Sequence, residues 1–201
     1  MADSRDDDAL VMVRPHVRGV IPLDRFHVPT RLARTVRTTD LEVRVDTDFP
    51  QVIAGCADLI RDRWDTWINR PIQKAYTELY ERGHAHSIEC WAGNALVGGL
   101  YGVQIGGAFF GESMFTRQRD ASKVALVHLV ARLNRAGFSL LDAQFVNDHL
   151  KQFNILDVPH RLYMQDLRPA LEQTPAMAAF RAGMTGQQAL DYARQSTSQA
   201  S

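Results

Sequence analysis

The order of the predicted elements indicates an α+β protein (α/β mixed sheet) whose helices cover the sheet. Three strand-like segments follow one another between residues 84 and 112, with glycine turns at Gly93 and Gly106. An apolar helix and a fourth strand come next, at about 120–136 and 138–145. A chain of 201 residues, 45% of them hydrophobic, can bury one core but has little room for two full domains.

The segments before this region are shorter. Three prolines between residues 10 and 30 favour extended structure. A short basic helix is predicted at 31–37, and the alternation in 41–45 predicts a strand. Asp48 stands where it can cap the helix that follows it.

Two later helices are marked at both ends. Asn69 begins a helix that Gly83 ends. Asp120 occupies the N-cap position of the next one, and Gly137 supplies the left-handed residue after it. The apolar side of this second helix follows a 3.6-residue period through Val124, Val127, Val130 and Leu133, with Ala125 and Leu129 beside them.

Composition excludes several classes of protein. The charge is balanced, with 23 basic and 23 acidic residues, which argues against a general nucleic-acid coat. No apolar run approaches the roughly 20 residues of a membrane helix, and the first residues lack the features of a secretory signal. Cys56 and Cys90 have neither metal-ligand spacing nor a disulfide framework. We therefore expect a cytoplasmic protein with no membrane partner.

Positive charge is nevertheless concentrated in one segment. Between Leu10 and Arg37 there are six arginines, against Asp24 alone. This segment is either a solvated amphipathic surface or an edge that contacts phosphates, and its composition leaves both interpretations open.

The most unusual polar residues lie in the fourth strand. Because residues two apart in a strand share a face, Asp142 and Gln144 are predicted to point to the same side. A carboxylate beside a carboxamide on a buried face must find partners or cost several kcal/mol. With Glu112, this pair is either the working centre or a polar network that holds the sheet to a helix.

Other motifs are weaker. His84 and His86 could offer two imidazoles to a metal, but no third ligand is near in sequence, so we expect no metal site. The glycines between residues 93 and 111 match neither a P-loop nor a dinucleotide fingerprint.

Several segments form a specific set when they are taken together. The central ones are GHAHSIECW (83–91), LVGGLYGV (96–103), FGESMF (110–115), ASK (121–123) and LDAQ (141–144). Shorter ones are RGVIPL (18–23), GCA (55–57) and TWI (66–68). In order, over about residues 11 to 172, the set strongly resembles the leucyl/phenylalanyl-tRNA–protein transferases.

That resemblance implies a bacterial cytoplasmic enzyme. It would move leucine or phenylalanine, and methionine weakly, from aminoacyl-tRNA to the α-amino group of proteins that begin with Arg or Lys, marking them for N-end-rule degradation. No cofactor or metal is implied, because exchanging an ester for an amide is downhill. We expect a monomer.

The resemblance also implies a division of the chain. A domain similar to the GCN5-related acyltransferases would span 47–182, preceded by a truncated N-terminal domain at 10–46. Residues 1–9 are expected to be disordered, and residues 183–201, rich in Gln, Ser, Thr and Ala, to form a flexible tail. A last helix is expected at about 161–173.

By resemblance, Gln144 would accept a hydrogen bond from the attacking amine, Asp142 would orient Gln144, and Glu112 would face the cationic side chain of the acceptor. Trp67 would stack on the terminal adenine of the tRNA. The aminoacyl pocket would be formed by Leu100, Phe109, Leu129, Leu133 and Leu141, each of which could equally be ordinary core. The tRNA phosphates would meet Arg14, Arg18, Arg31, Arg34 and Arg37.

The chain departs from the family pattern in two places. Val11-Met12-Val13 stands where the family has an aromatic pair, and Phe153-Asn154-Ile155 replaces a glycine-containing turn. These departures leave open a weakened or non-catalytic tRNA-binding paralogue, or a related transferase that builds a small peptide from charged tRNA. An acyl-CoA-dependent acetyltransferase is disfavoured, because the glycine turn at 106–107 leads into a strand rather than a helix.

Overall fold

The computed structural model describes residues 12–58 and 66–195, and it confirms the α+β class. In these residues seven strands form one mixed sheet with helices on both faces. The strands are β1 (Val17–Ile21), β2 (Glu42–Val45), β3 (Ala85–Ala92), β4 (Ala95–Ile105), β5 (Ala108–Thr116), β6 (Leu140–Gln144) and β7 (Leu156–Pro159). The helices are α1 (Thr30–Thr38), α2 (Phe49–Ala57), α3 (Arg70–Glu81), α4 (Ala121–Ala136), α5 (Asp148–Lys151), α6 (His160–Leu171), α7 (Met177–Arg181) and α8 (Gly186–Arg194).

The strand order is β2-β3-β4-β5-β6-β1-β7, and β5 and β6 are the parallel neighbours in it. These two strands pair over three positions, the last of which places Phe110 opposite Asp142. Beyond that position β5 continues to Thr116, six residues for which no pairing with β6 is formed. The two parallel strands therefore separate at Asp142, and the candidate site lies at this separation.

Helix α4 packs on one face of the sheet. It is buried on nearly all sides, because α1, α7 and α8 cover the surface that faces away from the strands. This burial explains why its apolar residues are not confined to one stripe. The opposite face carries two separate clusters, one formed with α2 and α3 and the other with α6.

The predicted helix signals are confirmed at four of five ends, one of them Gly83, which follows α3 with φ 78°. Asp48 accepts a hydrogen bond from the amide of Gln51, and Asn69 caps α3 in the same way. Gly137, with φ 81°, ends α4 in the left-handed conformation. Asp120 precedes α4 with φ 62°, but its side chain makes no cap bond and instead accepts from Lys123 Nζ at 3.1 Å.

The end of the chain differs from the expected flexible tail. Residues 186–194 form α8, whose Ala189, Leu190 and Ala193 are buried against α4 and α1. Thr185 and Gln188 form a capping box at its start. The composition did not indicate this short amphipathic helix, because two of its three buried residues are alanines. Residues 196–201 lie outside the described part of the chain, as does the acidic segment 1–9.

The N-terminal segment contributes to the same sheet. Strand β1 lies between β6 and β7, and β2 forms the edge beside β3. The boundary between a 10–46 domain and a 47–182 domain, and the likeness to the GCN5-related acyltransferases, stay predictions. In the ranges that are described, no helix combines the length and the apolar character needed to cross a bilayer.

Candidate active site

The site begins where β6 leaves regular geometry. Val20 pairs with Asp142 and Gly19 pairs with Gln144, so Ala143 is an extra residue in the ladder. Gln144 has φ 66°, a conformation that is uncommon for a side-chain-bearing residue. Asp142 Oδ1 accepts a hydrogen bond from the Gln144 amide at 2.7 Å, and this side-chain-to-backbone turn stabilises the conformation. Strict alternation is therefore broken between the two residues that were predicted to share a face.

Asp142 is fully buried and fully engaged. Its Oδ2 accepts from Arg18 Nε at 3.0 Å, from Arg18 Nη2 at 2.6 Å and from Tyr163 Oη at 2.6 Å. A buried carboxylate requires such partners, and the guanidinium adds the balancing charge. Burial, followed by the contact with Asp142, raises the pKa of Tyr163, so this hydroxyl keeps its proton and remains a donor.

Glu112 is placed by a second irregularity. In the pairing of β4 with β5, Gly102 meets Gly111 and Tyr101 meets Ser113, so Glu112 is the extra residue of a bulge. Its Oε2 accepts from Gln144 Nε2 at 3.0 Å, and the Tyr76 hydroxyl faces the same carboxylate and lowers its pKa. Bulges often redirect a side chain next to an active site, and here the bulge brings Glu112 to Gln144.

The electrostatics of Glu112 differ from those of Asp142. Burial raises the pKa of Glu112, and the hydrogen bonds from Tyr76 and Gln144 oppose this only in part. Among the described residues no Lys or Arg forms an ion pair with it, since Arg18 is bound to Asp142. Glu112 is thus a half-buried carboxylate whose neighbours Gln144 and Tyr76 are neutral.

The orientation of the Gln144 carboxamide follows from its partner. A carboxylate offers acceptors, so the amide nitrogen is assigned to Glu112 by the hydrogen-bond network. Within the described residues the amide oxygen has no donor, so it can accept a hydrogen bond from another group. A carboxamide is too weak a base to remove a proton by itself, so its chemical role is to orient a donor such as an amine.

A cavity of about 420 Å³ opens beside Glu112. Its volume lies within the roughly 300–1,000 Å³ typical of small-molecule pockets. Its walls are mostly apolar and come from β4, β5, β6 and α4, with Asn147 and His149 among its polar members. The full lining is Ile21, Leu100, Tyr101, Gly111, Glu112, Ser113, Met114, Phe115, Thr116, Ser122, Leu126, Leu129, Leu141, Ala143, Asn147, His149 and Leu150.

The structure divides the five predicted pocket residues. Leu100, Leu129 and Leu141 line the cavity, whereas Phe109 and Leu133 do not. Phe109 is fully buried and its ring contacts those of Phe138 and Phe180, within the core under α4 and α7. Leu133 lies one helical turn beyond Leu129 and is fully buried in the core between α4 and its neighbours. These two residues are placed in the core.

The three predicted catalytic residues lie together, but they differ in how directly they contact the cavity. Glu112 lines the cavity, Gln144 is bonded to Glu112, and Asp142 reaches that pair through the Gln144 backbone. Sequence reasoning missed Tyr163, which donates to Asp142, and Tyr76, whose hydroxyl faces Glu112. Tyr76 lies on α3, and spacing within a helix does not show that a hydroxyl reaches a strand.

The remaining predicted residues lie away from this centre. Trp67 is partly buried and packs against the cluster of α2 and α3. Arg14 is exposed and bonds His160 at 3.0 Å. Arg18 is inside the site, in contact with Asp142 rather than on the surface. A shallow groove on α1 is lined by Thr30, Arg31, Arg34, Arg37 and Thr38.

Of the two histidines considered as metal ligands, one is held in the sheet by side-chain contacts and the other is exposed. His86 is buried, with Nδ1 2.8 Å from Asp46 and Nε2 3.2 Å from Gln104, whereas His84 is exposed. In residues 12–58 and 66–195, no three His, Cys, Asp or Glu side chains group together as metal ligands would.

Comparisons with known proteins agree on one family. A family model described as "Leucyl/phenylalanyl-tRNA protein transferase" matches residues 20–168. A protein of that name from Caulobacter vibrioides (strain NA1000 / CB15N) is 56% identical over 186 residues, which cover 92% of this chain and 86% of that protein. One from Phenylobacterium zucineum (strain HLK1) is 59% identical over 171 residues, 85% of this chain and 77% of that protein.

Proposed function

The chain belongs to the leucyl/phenylalanyl-tRNA–protein transferase family of aminoacyltransferases, and from this premise we propose that it transfers leucine or phenylalanine from aminoacyl-tRNA to the α-amino group of proteins that begin with Arg or Lys. Methionine would be a weaker donor. The modified proteins would enter N-end-rule degradation, and the enzyme would act in the cytoplasm as a monomer.

The observation that carries this proposal is the contact between Gln144 and Glu112 at the wall of an apolar cavity. The cavity suits a leucyl or phenylalanyl side chain, since its walls are mostly apolar and include Leu100, Met114 and Leu129. The ester carbon of the donor would then stand near the polar edge, where an amine can approach.

The transfer step needs a neutral amine in a defined position. A free α-amine has a pKa of about 8, so a modest shift toward its neutral form is enough. The Gln144 oxygen accepts a hydrogen bond from this amine, whose nitrogen attacks the ester carbon. The ester C–O bond breaks, the ribose oxygen takes up a proton, and the amine nitrogen loses one. Holding the two reactants in this geometry supplies most of the acceleration.

The side chain of the acceptor is matched to Glu112. A half-buried carboxylate that has no cationic partner among the described residues gains most from a cation brought by the substrate. The guanidinium of Arg or the ammonium of Lys supplies that charge. The rejection of uncharged N-terminal residues follows, because they leave the Glu112 carboxylate without a counter-charge.

The tRNA itself would lie over two further features. The arginines of α1, spaced at three residues, present their guanidinium groups on one face of the helix. In the described part of the chain none of these three forms an ion pair, so they are free to contact phosphates. Trp67 offers a partly exposed ring for stacking on the terminal adenine.

Transfer of radiolabelled leucine tests the proposal. Leucyl-tRNA is incubated with matched peptides that begin with Arg, Lys or Gly, and with the Glu112→Gln variant as control. Transfer to the Arg and Lys peptides alone, with the preference lost in the variant, is the expected result. Equal transfer to all three peptides by the wild type would refute the role of Glu112.

One observation favours a weaker donor affinity than the family pattern implies. Met12 and Val13, at the place of the aromatic pair, are exposed and provide no aromatic ring. The loss of one stacking contact weakens binding by about tenfold or more. Substituting Val13→Trp should lower the KM for leucyl-tRNA, whereas tRNA binding without any transfer would indicate a non-catalytic relative.

A further inference from the structure

The contacts of Arg18 differ from those expected of a phosphate ligand. Its side chain is 17% exposed, and two of its nitrogens are directed at one oxygen of the fully buried Asp142. The guanidinium also lies 5.4 Å from the centre of the Tyr163 ring. An arginine that binds tRNA phosphates presents these donors to solvent instead.

From these contacts, and resting on the proposed function, we infer that Arg18 and Tyr163 are positioning residues of the catalytic centre, which act through Asp142 to hold Gln144. Both donate to Oδ2, so the carboxylate cannot rotate, and its Oδ1 is fixed toward the Gln144 amide. That bond in turn maintains φ 66° at Gln144, a conformation that a non-glycine residue avoids without support.

The three elements that carry this network come from distant parts of the chain. Arg18 lies on β1, Asp142 on β6 and Tyr163 on α6, which covers this end of the sheet. Strand β1 is hydrogen-bonded to β6 beside the bulge at Ala143. A Cβ at Gly19 would lie 2.7 Å from the carbonyl carbon of Phe145, so β1 approaches the chain after Gln144 closely. This close approach of β1 places the Arg18 guanidinium within hydrogen-bonding distance of Asp142.

The network also explains why the Gln144 amide oxygen is left without a donor in the described part of the chain. Its backbone is held by Asp142 and its amide nitrogen by Glu112. If Asp142 turned, the Gln144 backbone could return to an ordinary strand conformation, and the carboxamide would move away from Glu112. A displacement of about 1 Å at a reacting group can cost roughly 100-fold in rate.

The test compares Arg18→Lys, Arg18→Gln and Tyr163→Phe with Arg34→Gln on α1. Lysine keeps the charge but loses the paired donors, so the order of kcat should be wild type, Lys, Gln, with a fall of roughly 10- to 100-fold for Gln. The KM for leucyl-tRNA should change little in these variants. Arg34→Gln should do the opposite, raising KM and lowering the slope of log affinity against log salt by about 0.7–0.9.

Two further measurements separate positioning from other roles. In a Gln144→Ala background, adding Arg18→Lys should lower kcat no further, since the residue through which it acts is gone. The Gln144 backbone amide, followed by NMR hydrogen exchange, should exchange faster in Arg18→Lys and Tyr163→Phe than in the wild type. Tyr163→Phe removes only a hydroxyl and remains informative if Arg18→Gln does not fold.

A reduced salt slope with intact kcat in the Arg18 variants would make Arg18 a tRNA ligand and overturn the inference. Unchanged exchange of the Gln144 amide would overturn it as well. If the wild-type protein transferred neither leucine nor phenylalanine, the proposed function would fail, but the exchange measurement would still decide whether Arg18 and Tyr163 hold Gln144.

Discussion

Substituting Leu129→Ala, with Leu133→Ala as its matched control, separates the donor pocket from the core. Both residues lie on α4 and both are buried, at 1% and 0% exposure, yet Leu129 lines the cavity and Leu133 does not. Each change removes three carbons. At about 0.8 kcal/mol per methylene, the lost contact with a leucyl donor at position 129 is worth up to about 2.4 kcal/mol.

A loss of that size corresponds to about 50-fold in kcat/KM for leucyl-tRNA. The phenylalanyl ring can move into the vacated space and should lose much less. The ratio of phenylalanine to leucine transfer should therefore rise about tenfold or more for Leu129→Ala. Leu133→Ala should leave this ratio unchanged. It should lower the free energy of unfolding by about 2–5 kcal/mol, because the space left by the side chain is enclosed in the core.

The assay offers leucyl-tRNA and phenylalanyl-tRNA in competition to one peptide that begins with Arg, and it measures the product ratio by mass spectrometry. Urea unfolding of each variant shows that the measurements are made on folded protein. The reasoning would be refuted if Leu133→Ala shifted the ratio as far as Leu129→Ala does. It would also be refuted if Leu129→Ala lowered transfer of both amino acids equally.

Three further outcomes are expected. Gln144→Ala should cut kcat for transfer while the affinity for tRNA, measured by filter binding, stays close to wild type; a large loss of affinity would contradict its assigned role. Burial raises the pKa of Glu112 above its unfolded value, so its contribution to stability is complete at low pH and is lost as the pH rises through the folded pKa. Glu112→Gln should therefore gain stability relative to wild type toward neutral pH in urea titrations, and a difference independent of pH would contradict the cause given. Replacing Arg31 and Arg37 together by Gln should raise the KM for aminoacyl-tRNA and lower the salt slope by about 1.4–1.8, with kcat unchanged; an unchanged slope would remove α1 from the tRNA site.

Helix ends are predictable from the sequence where the capping residue and its partner lie in the same short segment. The caps at Asp48 and Asn69 and the left-handed Gly137 each depend on residues within a few positions, so spacing was sufficient. Asp120 shows the limit of this method. Its residue type suits a cap, but its backbone and its contact with Lys123 exclude the cap bond.

The site was predictable only in part, because its geometry depends on contacts between distant segments. The polar character of Glu112, Asp142 and Gln144 marked them in the sequence, yet the geometry that joins them depends on two bulges. A bulge is set by the pairing of strands that are far apart in sequence, and alternation within one strand does not reveal it. The role of Arg18 was hidden likewise, because its partner is 124 residues away.

The sequence by itself determined the family, the α+β class and the three polar residues of the centre, because these depend on residue type and on spacing within segments. Only the tertiary structure decided that Leu129 lines the cavity while Leu133 lies in the core, that Arg18 is bound to Asp142, and that α8 is part of the packed core. The physical reason is that burial and hydrogen-bond partnership belong to pairs of residues, and the fold alone brings those pairs together.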